Sequence, residues 1–145
     1  MVPTGKHVRE VYLGNNSVMT ALNSLTQEER AATLCLDQST IEQSVSKDVA
    51  LAMRAVGADM LDAPVSGGMT LSQIMKTAGT VSPYTNVSAG VVGAEKGTLA
   101  IMCGGSDAAF STASPVLQAM AREVTHCGDL GTGLAAKIAN KYVCR

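Results

Sequence analysis

The chain has 145 residues, 46% apolar and 16% charged, with a formal net charge of −1. That length and apolar content suffice for one buried core and set aside disorder. A near-neutral balance with one Phe, three Tyr and no Trp removes the electrostatic and stacking basis for nucleic-acid binding, and gives no attraction to an anionic membrane.

In chain order, residues 4–13 place Val8, Val11 and Tyr12 on one side of a short helix, ended by the turn residues Gly14-Asn15-Asn16. A second short helix is expected over residues 18–24, and the polar run Thr26-Gln-Glu-Glu-Arg30 starts another turn. Thr33-Leu-Cys-Leu-Asp37 is a short β-type run. It leads into Ser39-Thr40-Ile41-Glu42, whose Ser-x-x-Glu spacing fits a capping box. Ile41, Val45, Val49, Met53 and Val56 then line one face of a helix that Gly57 stops. Residues 58–63 form a buried strand, so strand, helix and strand make a βαβ unit with a parallel pair.

Beyond Gly68 the pattern decays, and residues 69–90 sustain neither period. Gly97-Thr-Leu-Ala-Ile-Met-Cys103-Gly104-Gly105 reads as a strand with a glycine exit. Ser106-Asp107 cap a helix with Phe110, Ala113, Leu117 and Met120 on one face, which Pro115 should kink or restart. Glu123-Val-Thr-His-Cys127 is a last strand. Gly128, Gly131 and Gly133 form a flexible approach to a final helix over residues 134–143. The class is α/β, and an incomplete one, because an open parallel sheet needs more strands than these.

Chemistry is concentrated in Asp62-Ala-Pro-Val-Ser66-Gly67-Gly68. A hydroxyl and free backbone amides at the end of a strand suit a small anion such as a carboxylate; an ordinary strand-exit loop is the competing interpretation. Cys35, Cys103, Cys127 and Cys144 lie far apart with no CxxC or Cys/His cluster, so no disulfide framework or metal site is expected. No apolar run reaches membrane-spanning length, and the N-terminus has no signal- or transit-peptide layout. Gly90-Val-Val-Gly93-Ala-Glu-Lys-Gly97 is not a dinucleotide fingerprint, because it lacks the GxGxxG spacing. His7 and His126 fit surface or strand-end roles.

Four motifs in order resemble the β-hydroxyacid dehydrogenase family, of the 3-hydroxyisobutyrate type. They are Asp37-x-Ser39-Thr40-Ile41, the Asp62–Gly68 run, Gly97-Thr-Leu-x-Ile-Met-x-Gly-Gly105, and Gly131-x-Gly-x-x-Ala-Lys137-x-x-Asn140. The resemblance implies the C-terminal portion of a Rossmann-like, NAD(P)-binding domain: a mostly parallel sheet with flanking helices, over residues 1–140. It implies NAD or NADP as cofactor, a small 3-hydroxy acid as substrate, and a homo-oligomeric parent enzyme in the cytoplasm or mitochondrion. Lys137 takes the catalytic lysine position, and Ser66, Gly67 and Gly68 hold the substrate carboxylate. Val2, Pro3 and Thr40 lie along the cofactor. For Thr40 a helix-capping hydroxyl is equally compatible, and without its frame Lys137 would pass for a solvated surface lysine.

Three departures bear on activity. The glycine-rich phosphate loop is expected before Met1. Lys141 stands where the family has a second Asn, so residues 141–145 form a non-family tail and the helical dimerisation domain is expected beyond them. Residues 69–90 interrupt the substrate loop as a disordered insertion, and joining Gly68 to Val91 restores a family-like sequence. Gly68-Met69, Thr85-Asn86 and Ala89-Gly90 can encode the donor, branch and acceptor signals of a retained intron; a lid loop is the alternative. A catalytically inactive fragment with residual ligand or partner binding is the competing function.

Overall fold

The computed structural model describes residues 1–67 and 93–143. Gly68, the expected insertion over residues 69–90, and Cys144 and Arg145 lie outside them. Three short helices lead in: α1 (Gly5–Leu13), α2 (Val18–Asn23) and α3 (Gln27–Ala31). The last has the reciprocal cap that its sequence encodes. Thr26 Oγ1 accepts from the Glu29 N–H, and the Glu29 carboxylate accepts from the Thr26 N–H at 2.8 Å.

Strands β1 (Leu34–Asp37) and β2 (Asp59–Asp62) pair in parallel, Leu34 opposite Asp59 and Asp37 opposite Asp62. Between them runs α4 (Gln43–Ala55). Its apolar face is the expected one, with Val49 and Met53 fully buried, and Ile41 reaches the same core from just before the helix. The capping box expected at Ser39 does not form. The Asp37 carboxylate accepts from the Ser39 N–H at 2.9 Å, an Asx-type turn that holds Ser39 inside. The Ser39 hydroxyl accepts instead from the Val2 N–H at 2.9 Å, and α4 starts two residues after Ile41 with no side-chain cap.

After β2 the chain continues as β3 (Val65–Ser66), antiparallel to β4 (Leu99–Cys103), with Val65 opposite Ile101 and Ser66 opposite Ala100. The bridge between Asp62 and Gly104, and the bond from the Met102 N–H to the Pro64 carbonyl, keep the same register. Residues 62–66 are therefore one ribbon, which enters parallel to β1 and leaves antiparallel to β4. Strand β5 (Ala121–His126) pairs parallel with β4. The sheet thus joins two parallel pairs through an antiparallel seam.

Helix α5 (Asp107–Gln118) connects β4 to β5. Ser106 caps it as expected, its hydroxyl accepting from the Ala109 N–H at 3.2 Å. The helix does not restart at Pro115 but runs through it to Gln118. The carbonyl deprived of a donor belongs to Ser111, on the exposed side of the helix, where water can replace the lost bond. Ala113 and Leu117 are buried, whereas Met120 lies beyond the helix and is exposed. The last element is α6 (Thr132–Val143).

Alternation along β2 sends Met60 and Leu61 to opposite faces, and each anchors its own core. Met60 packs with Val8, Val49, Met53 and Leu134; Leu61 packs with Ile101, Cys103, Ala113 and Leu117. Burial on both faces is what a doubly covered α/β sheet requires. Among the described residues no helix is long and apolar enough to cross a membrane.

Candidate active site

The ribbon over residues 62–66 and helix α6 meet at the end of β1, and their meeting starts with Asp62. This carboxylate is 1% exposed. One oxygen accepts from the Gly131 N–H at 2.5 Å and the other from the Leu134 N–H at 2.8 Å, so an acid far away in sequence caps the start of α6. Burial pushes the Asp62 carboxyl above its usual range, and the two amide donors only partly offset the rise. Ionising it therefore costs the fold: its contribution to stability is best at low pH and declines as pH rises through the raised pKa.

The glycines around this carboxylate are packed, not loose, which corrects the expectation of a flexible approach to α6. Gly131 has φ +89°, a left-handed conformation, and its carbonyl accepts from Gln43 Nε2 at 2.9 Å. A Cβ on Gly133 would overlap the Met102 carbonyl and lie 2.8 Å from Asp62 Oδ2. Pro64 has no N–H to return to that carbonyl, and it is there that the helix backbone closes on the sheet.

One turn into α6, Lys137 turns back towards the ribbon. Its Nζ donates to Thr40 Oγ1 at 2.5 Å and to the Val65 carbonyl at 2.7 Å. Burial holds the Lys137 ammonium below the ordinary lysine value, and the like charge of Lys141, one turn further along α6, adds to the effect. As an ammonium it keeps one hydrogen beyond these two bonds; as an amine it keeps a lone pair. Either form has one valence left for a ligand.

The structure thus brings Lys137, Thr40 and the strand carrying Ser66 together. Gly67 follows Ser66, both half-buried, and Gly68 lies outside the described residues. Thr40 is exposed and caps no helix: its hydroxyl belongs to Lys137. Val2 is fastened to Ser39 beside Thr40, and Pro3 is exposed next to it. His126 stands apart, stacked on Phe110 with ring centroids 4.7 Å apart and its Nε2 2.8 Å from the Gly105 carbonyl. His7 lies at the surface against Thr4. The residue that motif reading missed is Asp62. A carboxylate at the buried end of a short strand was the available signal.

The dinucleotide implied by the motifs fits these residues at one end. The carboxyl ends of β1 and β2, where Thr40 accepts from Lys137 and the neighbouring Ser39 accepts from Val2, are where an α/β sheet would take a nicotinamide ring. A pyrophosphate needs a free helix start behind a glycine turn. The one Gly-x-Gly in the sequence, Gly131-Thr132-Gly133, opens α6, and there the chain's own Asp62 takes the anion's place. Among the described residues no group of His, Cys, Asp and Glu is placed to hold a metal ion.

A mostly parallel sheet with apolar cores on both faces is the architecture of the Rossmann-like class of NAD-binding domains. The chain belongs to the family of the NAD binding domain of 6-phosphogluconate dehydrogenase, whose family model matches residues 1–77 and 70–128. Within that class it is similar to 3-hydroxyisobutyrate dehydrogenases. It is 37% identical over 143 residues to a probable mitochondrial 3-hydroxyisobutyrate dehydrogenase of Dictyostelium discoideum, covering 99% of this chain and 36% of the relative. It is 36% identical to the Pseudomonas aeruginosa 3-hydroxyisobutyrate dehydrogenase, covering 38% of it. Among solved structures, the Mycobacterium tuberculosis 3-hydroxyisobutyrate dehydrogenase with L-serine superposes with a TM-score of 0.72 at 35% identity, over 99% of this chain and 38% of that one. The chain therefore spans little more than a third of the length of these relatives.

Proposed function

We propose that the chain carries the proton-transfer half of an NAD(P)-dependent 3-hydroxyacid dehydrogenase, acting on a small 3-hydroxy acid of the 3-hydroxyisobutyrate kind. The observation that carries this reading is the Lys137 amine, half-buried and held between Thr40 and the Val65 carbonyl one residue from Ser66. NAD or NADP, when bound, supplies the hydride acceptor. Val2, Pro3 and Thr40 flank its nicotinamide end. Ser66, Gly67 and Gly68 hold the substrate carboxylate, which leaves the hydroxyl facing Lys137.

With its two hydrogens engaged by Thr40 and Val65, the neutral amine directs its lone pair at the substrate O–H. It accepts that proton as the carbinol carbon loses hydride and becomes a carbonyl; in the reverse direction the ammonium returns the proton. Desolvation helps by raising the share of neutral amine at physiological pH. The compartment proposed is the mitochondrion or the cytoplasm; the Dictyostelium relative is named as mitochondrial.

A second reading, an inactive fragment with residual ligand binding, is favoured by the helix start that Asp62 already fills. Reduction of NAD or NADP by the purified chain with 3-hydroxyisobutyrate separates the two. Turnover that falls at least ~100-fold in Lys137→Ala supports the dehydrogenase. Absence of turnover would establish the inactive fragment, and titration of the same chain with NAD and NADP at millimolar cofactor then measures whether it keeps residual ligand binding.

A further inference from the structure

Helix α6 is fastened to the ribbon at two places. At its start, the Gly131 and Leu134 amides donate to the Asp62 carboxylate; one turn on, Lys137 Nζ donates to the Val65 carbonyl. Three residues advance ~4.5 Å along a helix and ~10 Å along a strand. The Lys137 side chain can reach Val65 only if the helix start is drawn tightly onto Asp62. The tightness is visible in the packing, because a Cβ on either Gly104 or Gly133 would overlap the Asp62 carboxylate or its surroundings.

We propose that Asp62 is a positioning residue for the reaction: its carboxylate seats α6 on the β2–β3 ribbon and so fixes where the Lys137 amine lies. The arrangement is specific to an acid. Both oxygens accept from backbone N–H groups, so an asparagine of the same shape would turn an NH2 towards one of those donors. A buried charge in a sheet strand is a poor stabiliser, and a device that fixes geometry accounts for its presence better than stability does. The role in turnover rests on the dehydrogenase reading above; the placement of the amine does not.

Competitive labelling of the full chain with acetic anhydride, read lysine by lysine by mass spectrometry across neutral to alkaline pH, tests the placement without cofactor or substrate. In the native chain the labelling midpoint of Lys137 lies below the ordinary lysine value. In Asp62→Asn it moves up towards that value as the amine swings into water. An unchanged midpoint in a folded Asp62→Asn chain overturns the proposal. Should that variant fail to fold, hydrogen exchange in the native chain decides: Gly131 and Leu134 amides as protected as those of β4 support the seat, and exchange at the rate of a frayed helix start removes it. Native turnover that depends on Lys137, together with an unmoved midpoint in Asp62→Asn, would keep the dehydrogenase and discard the positioning role. A moved midpoint in a chain without turnover would do the reverse.

Discussion

Helices α5 and α6 follow neighbouring parallel strands, yet they begin in different ways. The first is capped from within, the Ser106 hydroxyl accepting from Ala109 three residues on. The second is capped from across the fold, its amides donating to a carboxylate 69 and 72 residues earlier. A local cap satisfies orphan N–H groups and leaves the helix free to lie where packing puts it. A remote cap satisfies the same groups and also fixes the helix to a particular point of the sheet. Of the two, only the helix with the remote cap carries lysine, and the Lys137 amine is held between Thr40 and the Val65 carbonyl.

The contrast predicts unequal damage. Gly133→Ala forces a methyl group into the Met102 carbonyl and against Asp62 Oδ2, an oxygen of a carboxylate tied down by its hydrogen bonds at the start of α6. Overpacking against backbone should cost ~3 kcal/mol, a large part of a small domain's stability. Ser106→Ala removes the local cap and should cost about 1 kcal/mol. Urea unfolding of both variants measures the pair. Equal losses would mean that the α6 seat is no tighter than an ordinary helix cap.

The same contrast marks how far the sequence could be read. The strands over residues 34–37 and 59–62, the apolar face through Val49 and Met53, and the Ser106 cap are set by neighbours a few residues apart, and all were legible. A capping box was expected at Ser39-x-x-Glu42, and only the start of a turn at Thr26-x-x-Glu29, which has the same spacing. Of the two, it is the Thr26 box that forms, because Asp37 captures the Ser39 backbone and Val2 its hydroxyl. The motif frame singled out Lys137, but the partners that hold it, Thr40 and Val65, are 97 and 72 residues away. Asp62 was in plain view within a motif and still had no assignable role, since nothing near it in sequence binds it.

Lys137 itself sharpens the comparison through pH. Its pKa in the fold is lowered, so the unfolded chain holds the proton more tightly. Charging Lys137 therefore costs stability in full below the lowered pKa, and the cost is relieved as pH rises towards the ordinary lysine value. Lys137→Met removes the charge while keeping much of the side-chain volume. Against the native chain, the variant should be relatively most stable at neutral pH and lose that advantage as pH climbs. Melting curves at neutral and alkaline pH show it; a difference independent of pH would mean that the amine is fully solvated.

The smallest effect belongs to α4, a helix that has neither kind of side-chain cap. On α4, Ser46 is fully buried with no partner for its hydroxyl among the described residues. A buried hydroxyl without a hydrogen bond carries an unrecovered desolvation cost, and alanine removes it while leaving a void of one atom. Because α4 is held by apolar packing of Val49 and Met53, Ser46→Ala needs no compensating contact and also gains helix propensity. The variant should gain up to about 1 kcal/mol in urea unfolding with an unchanged slope. A loss of similar size would place a bound water or side-chain partner at Ser46, making polar contact part of what holds α4 against α1.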